Sequence, residues 1–118
     1  MTARVWAVQS SLRRDAATGE LTMRYDLSPA EKFGTLYYLT GPSATPWDAA
    51  VVREIERKLD DFTDEDYLLL VGSPVLIGVA FAAAADANEG RVATLQWSGK
   101  DGQYVPIRVV LASFTADA

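Results

Sequence analysis

The segment Tyr67–Trp97 constrains the fold more than any other part of this chain of 118 residues. It opens with Tyr67–Val71, an unbroken apolar run that is typical of a strand covered on both faces within a parallel sheet. Ser73-Pro74 then supplies an N-cap and a first-turn proline, and Val75–Ala85 is an alanine-rich helix without a charged residue. Because Val92–Trp97 reads as a second strand, the segment predicts a right-handed parallel β-α-β crossover.

Four further strands are predicted outside this segment. The alternation of apolar and polar residues in Leu21–Leu27 predicts a half-exposed strand that pairs with the first strand as an antiparallel hairpin. Pro106 cannot donate a backbone hydrogen bond, so the last strand is placed at an edge of the sheet or with the proline on its free side. The four predicted strands are Arg4–Ser10, Leu21–Leu27, Thr35–Thr40 and Tyr104–Leu111.

A second main helix is predicted behind Asp48. Its apolar residues recur at spacings of four, four and three, which forms one stripe and indicates a surface helix lying on a sheet; they are Val51, Ile55, Leu59 and Phe62. Residues 1–118 are therefore predicted to form a single α/β domain with a mixed sheet of five to six strands and two main helices. In this fold a half-Rossmann-like βαβαβ core is flanked by antiparallel strands.

The composition excludes several kinds of chemistry. The chain contains neither cysteine nor histidine, which excludes disulfides, zinc-thiolate sites and catalytic triads that use either residue. We identify no catalytic residue, metal site or cofactor, and a role other than catalysis is favoured. The net charge of −5 argues against direct binding to nucleic acid. The absence of a signal-peptide pattern and of a long apolar helix predicts a cytoplasmic protein that does not contact a membrane.

The turn Gly72, Ser73 and Pro74 is the candidate ligand-binding site. It leads from a central strand into a helix N-terminus, where open α/β sheets bind ligands and where backbone amides attract anions. A phosphate, a carboxylate or a nucleotide would be the ligand. The segment lacks both the G-x-G-x-x-G and the P-loop patterns, and Pro74 removes one amide, so the alternative is that the three residues only turn the chain.

The helix Val75–Ala85 is the candidate interface, because a helix without a polar face must be covered. Its cover is either another layer of the same chain or a second subunit, and small residues permit close helix–helix approach. The interface hypothesis predicts a homo-oligomer, with a partner protein from elsewhere as the variant. The predicted interface residues are Val75, Gly78, Ala80, Ala83 and Ala84.

The segment Asp60–Asp66 has five acids in seven residues but lacks the spacing of a calcium-binding loop. We interpret it as a solvated loop that would favour a basic partner if it has one. The large aromatic residues lie on different elements, and core packing explains each better than a platform for base stacking. These aromatic residues are Tyr37, Tyr38, Trp47 and Trp97.

Several segments together resemble small uncharacterised proteins encoded by bacteriophages. They are DLSPAEKFG, a short amphipathic helix, DYLLLVGSPVLIGVAFAAAAD, GRVATLQW and YVPIRVVL, and they cover the chain from about Asp26 to Leu111. The resemblance implies an accessory protein that acts inside an infected bacterium, in the host cytoplasm, and it implies no activity for particular residues.

The leading functional hypothesis is a non-enzymatic phage accessory protein that acts through protein–protein interaction, self-association or both. The first alternative is a binder of a small anionic ligand or nucleotide, or an enzyme, at the Gly72-Ser73-Pro74 turn. The second alternative is an acidic mimic of nucleic acid that occupies a basic surface.

Overall fold

The computed structural model describes residues 3–10, 12–23 and 26–112, and two sheets account for all their strands. In chain order the elements are strands β1 Arg4–Gln9, β2 Leu12–Arg14 and β3 Leu21–Met23, a 3₁₀ helix Ser28–Phe33, strand β4 Thr35–Thr40, helix α1 Ala49–Lys58, strand β5 Tyr67–Leu69, helix α2 Pro74–Ala87, and strands β6 Arg91–Ser98 and β7 Gln103–Val110.

The main sheet has five strands in the order β4-β1-β5-β6-β7. The first four are parallel, and β7 pairs antiparallel with β6 as a hairpin. The prediction of an α/β fold with a mixed five-stranded sheet and two main helices is confirmed. The predicted edge position of the last strand is also confirmed, because β7 is an outer strand.

The parallel strands follow the spatial order second, first, third, fourth, which is the order of flavodoxin-like doubly wound sheets. The crossover helices α1 and α2 cover one face, where Leu39, Ile55, Leu68 and Leu76 are fully buried. The connection between β1 and β4 covers the other face through residues such as Leu27, with the 3₁₀ helix in place of a regular crossover helix. The crossovers that leave β1 and β5 run in opposite directions along the sheet, so the strand order reverses between β1 and β5.

The predicted pairing of Leu21–Leu27 with the first strand is wrong. β3 pairs instead with β2 in a separate two-stranded ribbon, while β1 has parallel neighbours on both sides. Val5 and Val8 on β1 are fully buried, so this strand belongs to the centre of a covered sheet rather than to a half-exposed hairpin. Residues 24 and 25 of the predicted strand lie outside the described residues.

Candidate functional site

The carboxyl ends of the four parallel strands meet at one edge of the main sheet. We call this edge the carboxyl edge, and it comprises the end of β1 at Gln9, the loop 41–48 after β4, the turn 70–75 after β5 and the end of β6 at Trp97. In open α/β sheets, ligands bind outside the carboxyl ends of the strands, where the strand order reverses. The carboxyl edge is therefore the candidate location of a functional site.

Gln9 connects two of these loops through its side-chain amide. Its Nε2 donates hydrogen bonds to the backbone oxygens of Gly41, at 3.3 Å, and Ala44, at 3.0 Å. Its Oε1 accepts a hydrogen bond of 2.9 Å from the backbone N–H of Ser73. The backbone N–H of Gln9 also donates to the oxygen of Val71 at 3.1 Å. One residue at the end of the central strand thereby fixes the loops on both sides of it.

These bonds reduce the number of free backbone donors that the turn Gly72, Ser73 and Pro74 can present to a ligand. The Ser73 N–H, which an anion would need, already donates to Gln9. Gly72 has a φ of +114°, and a Cβ added to it would lie 2.4 Å from the Cβ of Gln9, so only glycine fits. Within the described part of the chain, the Ser73 hydroxyl makes no capping bond. The three residues close the turn onto Gln9, and their role as ligand-binding residues stays a prediction.

A cavity of about 820 Å³ opens at the carboxyl edge beside this turn. It exists because β5 ends at Leu69, opposite Leu95, whereas β6 runs on to Ser98 and carries the β6–β7 hairpin beyond the end of β5. We call this cavity the cleft. Its walls are mainly apolar and include Leu27, Leu69, Leu95, Trp97 and Tyr104.

The charge of the cleft is negative. The Asp26 carboxylate accepts a hydrogen bond of 3.0 Å from the backbone N–H of Ser28, and this bond lowers the pKa of Asp26. Burial, with a smaller effect of the Asp26 charge, raises the pKa of Tyr104 above its usual value near 10. At neutral pH the cleft therefore presents one carboxylate and a protonated phenol. None of the described residues that line it is basic, so the cleft does not favour an anion.

Large apolar side chains are exposed along the carboxyl edge. Trp47 is 83 % exposed, Val75 58 %, Trp97 49 % and Leu70 41 %. Trp47 stands immediately before Asp48, the N-cap of α1, whose carboxylate accepts a hydrogen bond of 2.9 Å from Ala50 N–H. The interpretation of Trp47 as a core residue is therefore wrong, because its position in the loop before α1 leaves the indole in solvent. Trp97 is only half-exposed and packs against the buried ring of Tyr104.

Helix α2 is covered on one side by its own chain. Ala80 and Ala84 are fully buried, together with Leu76, against the sheet and α1. Ala83 is partly buried, and Val75 and Gly78 are exposed on other sides of the helix. An interface on α2 thus stays a prediction, but it could not use Ala80 or Ala84 without removing the helix from the core.

A family model for phage Pam3 gp32-like proteins matches residues 3–111, from the residue before β1 to the residue after β7. The chain belongs to the phage Pam3 gp32-like protein family. The resemblance to phage-encoded proteins is thereby confirmed, and the chain is a phage accessory protein. No curated protein matches it, and neither does any solved structure.

In this gp32-like protein the acidic segment Asp60–Asp66 serves the fold at the opposite, amino edge of the sheet. Asp66 is buried and accepts a 2.8 Å hydrogen bond from the Arg4 guanidinium, and Asp64 pairs with Arg91 at 3.0 Å. Burial raises the pKa of Asp66, but the bonds from Arg4 and Thr63 outweigh it, so the pKa lies below its usual value. The interpretation of a solvated loop is wrong for Asp66, which is buried, whereas Asp64 is exposed although it pairs with Arg91.

Two further features of the gp32-like chain concern ligands and membranes. Among residues 3–10, 12–23 and 26–112, no group of three or more acidic side chains is arranged so that it could hold a metal ion. No helix in those same ranges combines the length and the apolar character that crossing a bilayer requires.

Sequence reasoning did not single out Gln9 or Asp26, and it assigned Trp47 to the core. A tryptophan after a proline in a loop rich in glycine, serine and threonine was the available signal for Trp47. The bonds of Gln9 join residues 32, 35 and 64 positions away, and no local pattern encodes them.

Proposed function

We propose that this phage accessory protein acts by binding another protein through its carboxyl edge, and that it is not an enzyme. The observation that carries the proposal is Trp47, an indole 83 % exposed on an edge that also exposes Trp97, Val75 and Leu70. Tryptophan is one of the three residue types enriched among the hot spots of protein interfaces. Its large apolar area and single N–H donor suit a surface that becomes buried when a partner binds.

The rigidity of the carboxyl edge supports the proposal. Gln9 holds the loop that carries Trp47 and the turn that carries Val75 in one arrangement, through bonds to Ala44 and Ser73. Ordering loops during association costs free energy, so a surface that is already ordered binds more tightly for the same contact area. This arrangement favours recognition over a mobile lid.

The alternatives receive less support. An anionic ligand or nucleotide would find the Ser73 N–H occupied by Gln9 and a carboxylate, Asp26, in the neighbouring cleft. An acidic mimic of nucleic acid would need free carboxylates along one face, whereas Asp64 and Asp66 are paired with arginines of the same chain. The proposed partner is a second copy of the chain or a host or phage protein, met in the cytoplasm of the infected cell.

Photo-crosslinking from defined positions tests the proposal. A photoreactive p-benzoylphenylalanine replaces Trp47 in one variant and Glu65, which is exposed at the amino edge, in a matched control. Both proteins are expressed during phage infection, irradiated, and their adducts identified by mass spectrometry. We expect protein adducts from position 47 and at least tenfold fewer from position 65. Equal yields from both positions, or no adduct from position 47, would overturn the proposal.

A further inference from the structure

We propose that the carboxyl edge binds a second copy of the same chain, with Trp47 of each copy entering the cleft of the other. This inference rests on the proposed function and adds the identity of the partner. It follows from two features of one edge that are complementary to each other, namely an exposed indole and an open apolar cleft.

The cleft has the chemistry that an indole requires. Leu69, Leu95 and Tyr104 form apolar walls, and Trp97 packs edge-on against Tyr104 with ring centroids 5.0 Å apart, a geometry that a further aromatic ring can extend. Indole has one N–H donor and no acceptor, and Asp26 supplies an acceptor in the cleft lining. The cleft volume of about 820 Å³ is ample for one indole ring.

The topology places the indole and the cleft apart within one chain but on the same edge. Trp47 follows the outer strand β4, whereas the cleft lies at the ends of β5 and β6, two to three strands away. With strands about 4.8 Å apart, the separation is roughly 12 Å across the sheet. A two-fold axis between the indole and the cleft would bring each Trp47 to the partner's cleft, giving two equivalent contacts as in isologous dimers.

Charge opposes this contact at low salt, because Asp26 lines the cleft and Asp48 directly follows Trp47, so the contact brings carboxylates of the two copies towards each other. Each copy carries a net charge of −5, so two copies repel each other at long range. The densest group of acids, Asp60–Asp66, lies at the amino edge, away from the proposed contact. Repulsion between distant charges is screened by salt, so we expect salt to strengthen the association.

Sedimentation velocity over a range of protein concentrations tests the inference. We expect the unmodified chain to form a dimer, and Trp47→Ala and Gln96→Trp each to weaken dimerisation at least tenfold. Gln96→Trp places a bulky ring at the rim of the cleft from an exposed position on β6, where an aromatic residue suits a strand. Leu70→Trp places a ring at the same rim from the turn after β5 and serves if Gln96→Trp does not fold.

Val110→Ala is the matched control, because Val110 is an exposed apolar residue at the amino edge, and it should leave the dissociation constant unchanged. Mixing Trp47→Ala with Gln96→Trp should give more dimer than either variant alone, since the indole of the second variant fits the intact cleft of the first and one of the two contacts is regained.

A strictly monomeric chain, or a mixture no more associated than its components, would overturn the inference. Adducts between position 47 and a different protein would then still support the proposed function, so the two failures are distinguishable.

Discussion

Gln9 both donates and accepts hydrogen bonds at the point where the strand order of the sheet reverses. Gln9→Glu keeps the acceptor for Ser73 but replaces the donor for Gly41 and Ala44 with a second acceptor. We expect a loss of about 2 kcal/mol in the free energy of unfolding at pH 7, because two carbonyl oxygens then face a carboxylate. Protonation of the introduced carboxyl restores a donor, so the loss should shrink as the pH falls towards 4. Urea unfolding at several pH values measures it, with Gln96→Glu on exposed β6 as the control that should change little.

Asp66 links the start of β1 to the acidic segment through its bonds to Arg4. Because folding lowers the pKa of Asp66, its contribution to stability is present above the unfolded pKa, near 3.9, and is lost as the pH falls through the folded pKa. Asp66→Asn should therefore cost about 3 kcal/mol at pH 7, since it leaves Arg4 without its buried partner. The deficit should decrease in acid, where the unmodified chain also loses the ion pair.

Chemical denaturation at pH 7 and at pH 3 tests this expectation. Asp60→Asn removes an exposed acid from the same segment and should change the free energy of unfolding by less than about 0.5 kcal/mol. A deficit for Asp66→Asn that is the same at both pH values would show that the Arg4 pair does not set the acid response.

At the scale of elements, alanine substitutions at two glycines, one within α2 and one in the turn before it, should change stability in opposite directions. Gly78 is exposed within α2 with no atom within 4 Å of an added Cβ, so Gly78→Ala should stabilise the chain by about 0.5–1 kcal/mol. Gly72→Ala should destabilise it by about 2 kcal/mol or more, because its Cβ would meet Gln9 and its φ is positive. Thermal unfolding of both variants measures the opposite signs.

Gly78→Ala also distinguishes two interfaces. If α2 packed helix to helix against a second subunit through Gly78, the added methyl group would hold the backbones apart and weaken association. If the dimer forms through the carboxyl edge, Gly78→Ala leaves its dissociation constant unchanged in sedimentation velocity. A raised dissociation constant would instead indicate an interface on α2.

The elements that could be predicted from the sequence are those with a local cause. The apolar run at Tyr67, the start of α2 at Pro74 and the stripe through Ile55 lie within single elements and were found from local patterns alone, although the Ser73 hydroxyl makes no capping bond with any described residue. The buried side of α2 could not be identified from the sequence, because alanine occupies both its buried and its exposed sides. Ala80 in the core and Ala82 in solvent are the same residue type. The pairing of β1 and the bonds of Gln9 depend on contacts between distant segments, which periodicity does not encode.

At the scale of the whole molecule, binding and folding use opposite edges of one sheet. The amino edge holds the ion pairs of Arg4 and Arg91, while the carboxyl edge exposes Trp47 and Trp97. Since both copies carry a net charge of −5, raising the salt concentration should screen their repulsion and strengthen self-association. Between about 0.01 M and 0.1 M the screening length falls from about 30 Å to about 10 Å. Light scattering behind a sizing column at the two salt concentrations should show a larger dimer fraction at the higher one.

The burial of Trp47 on association is the most direct test of the account. The variant Trp6→Phe/Trp97→Phe retains Trp47 as its single tryptophan, and Trp6 is a suitable site to change because its buried Nε1 has no partner among the described residues. Because Trp97 lines the cleft, sedimentation velocity first establishes that this variant associates as the unmodified chain does. Acrylamide quenching of its fluorescence is measured from dilute to concentrated protein, and in extract from infected cells. We predict ready quenching when the protein is dilute, and a fall in quenching with a blue shift of the emission when a partner is present. An indole that remains fully accessible to acrylamide under every condition would contradict a binding role for the carboxyl edge.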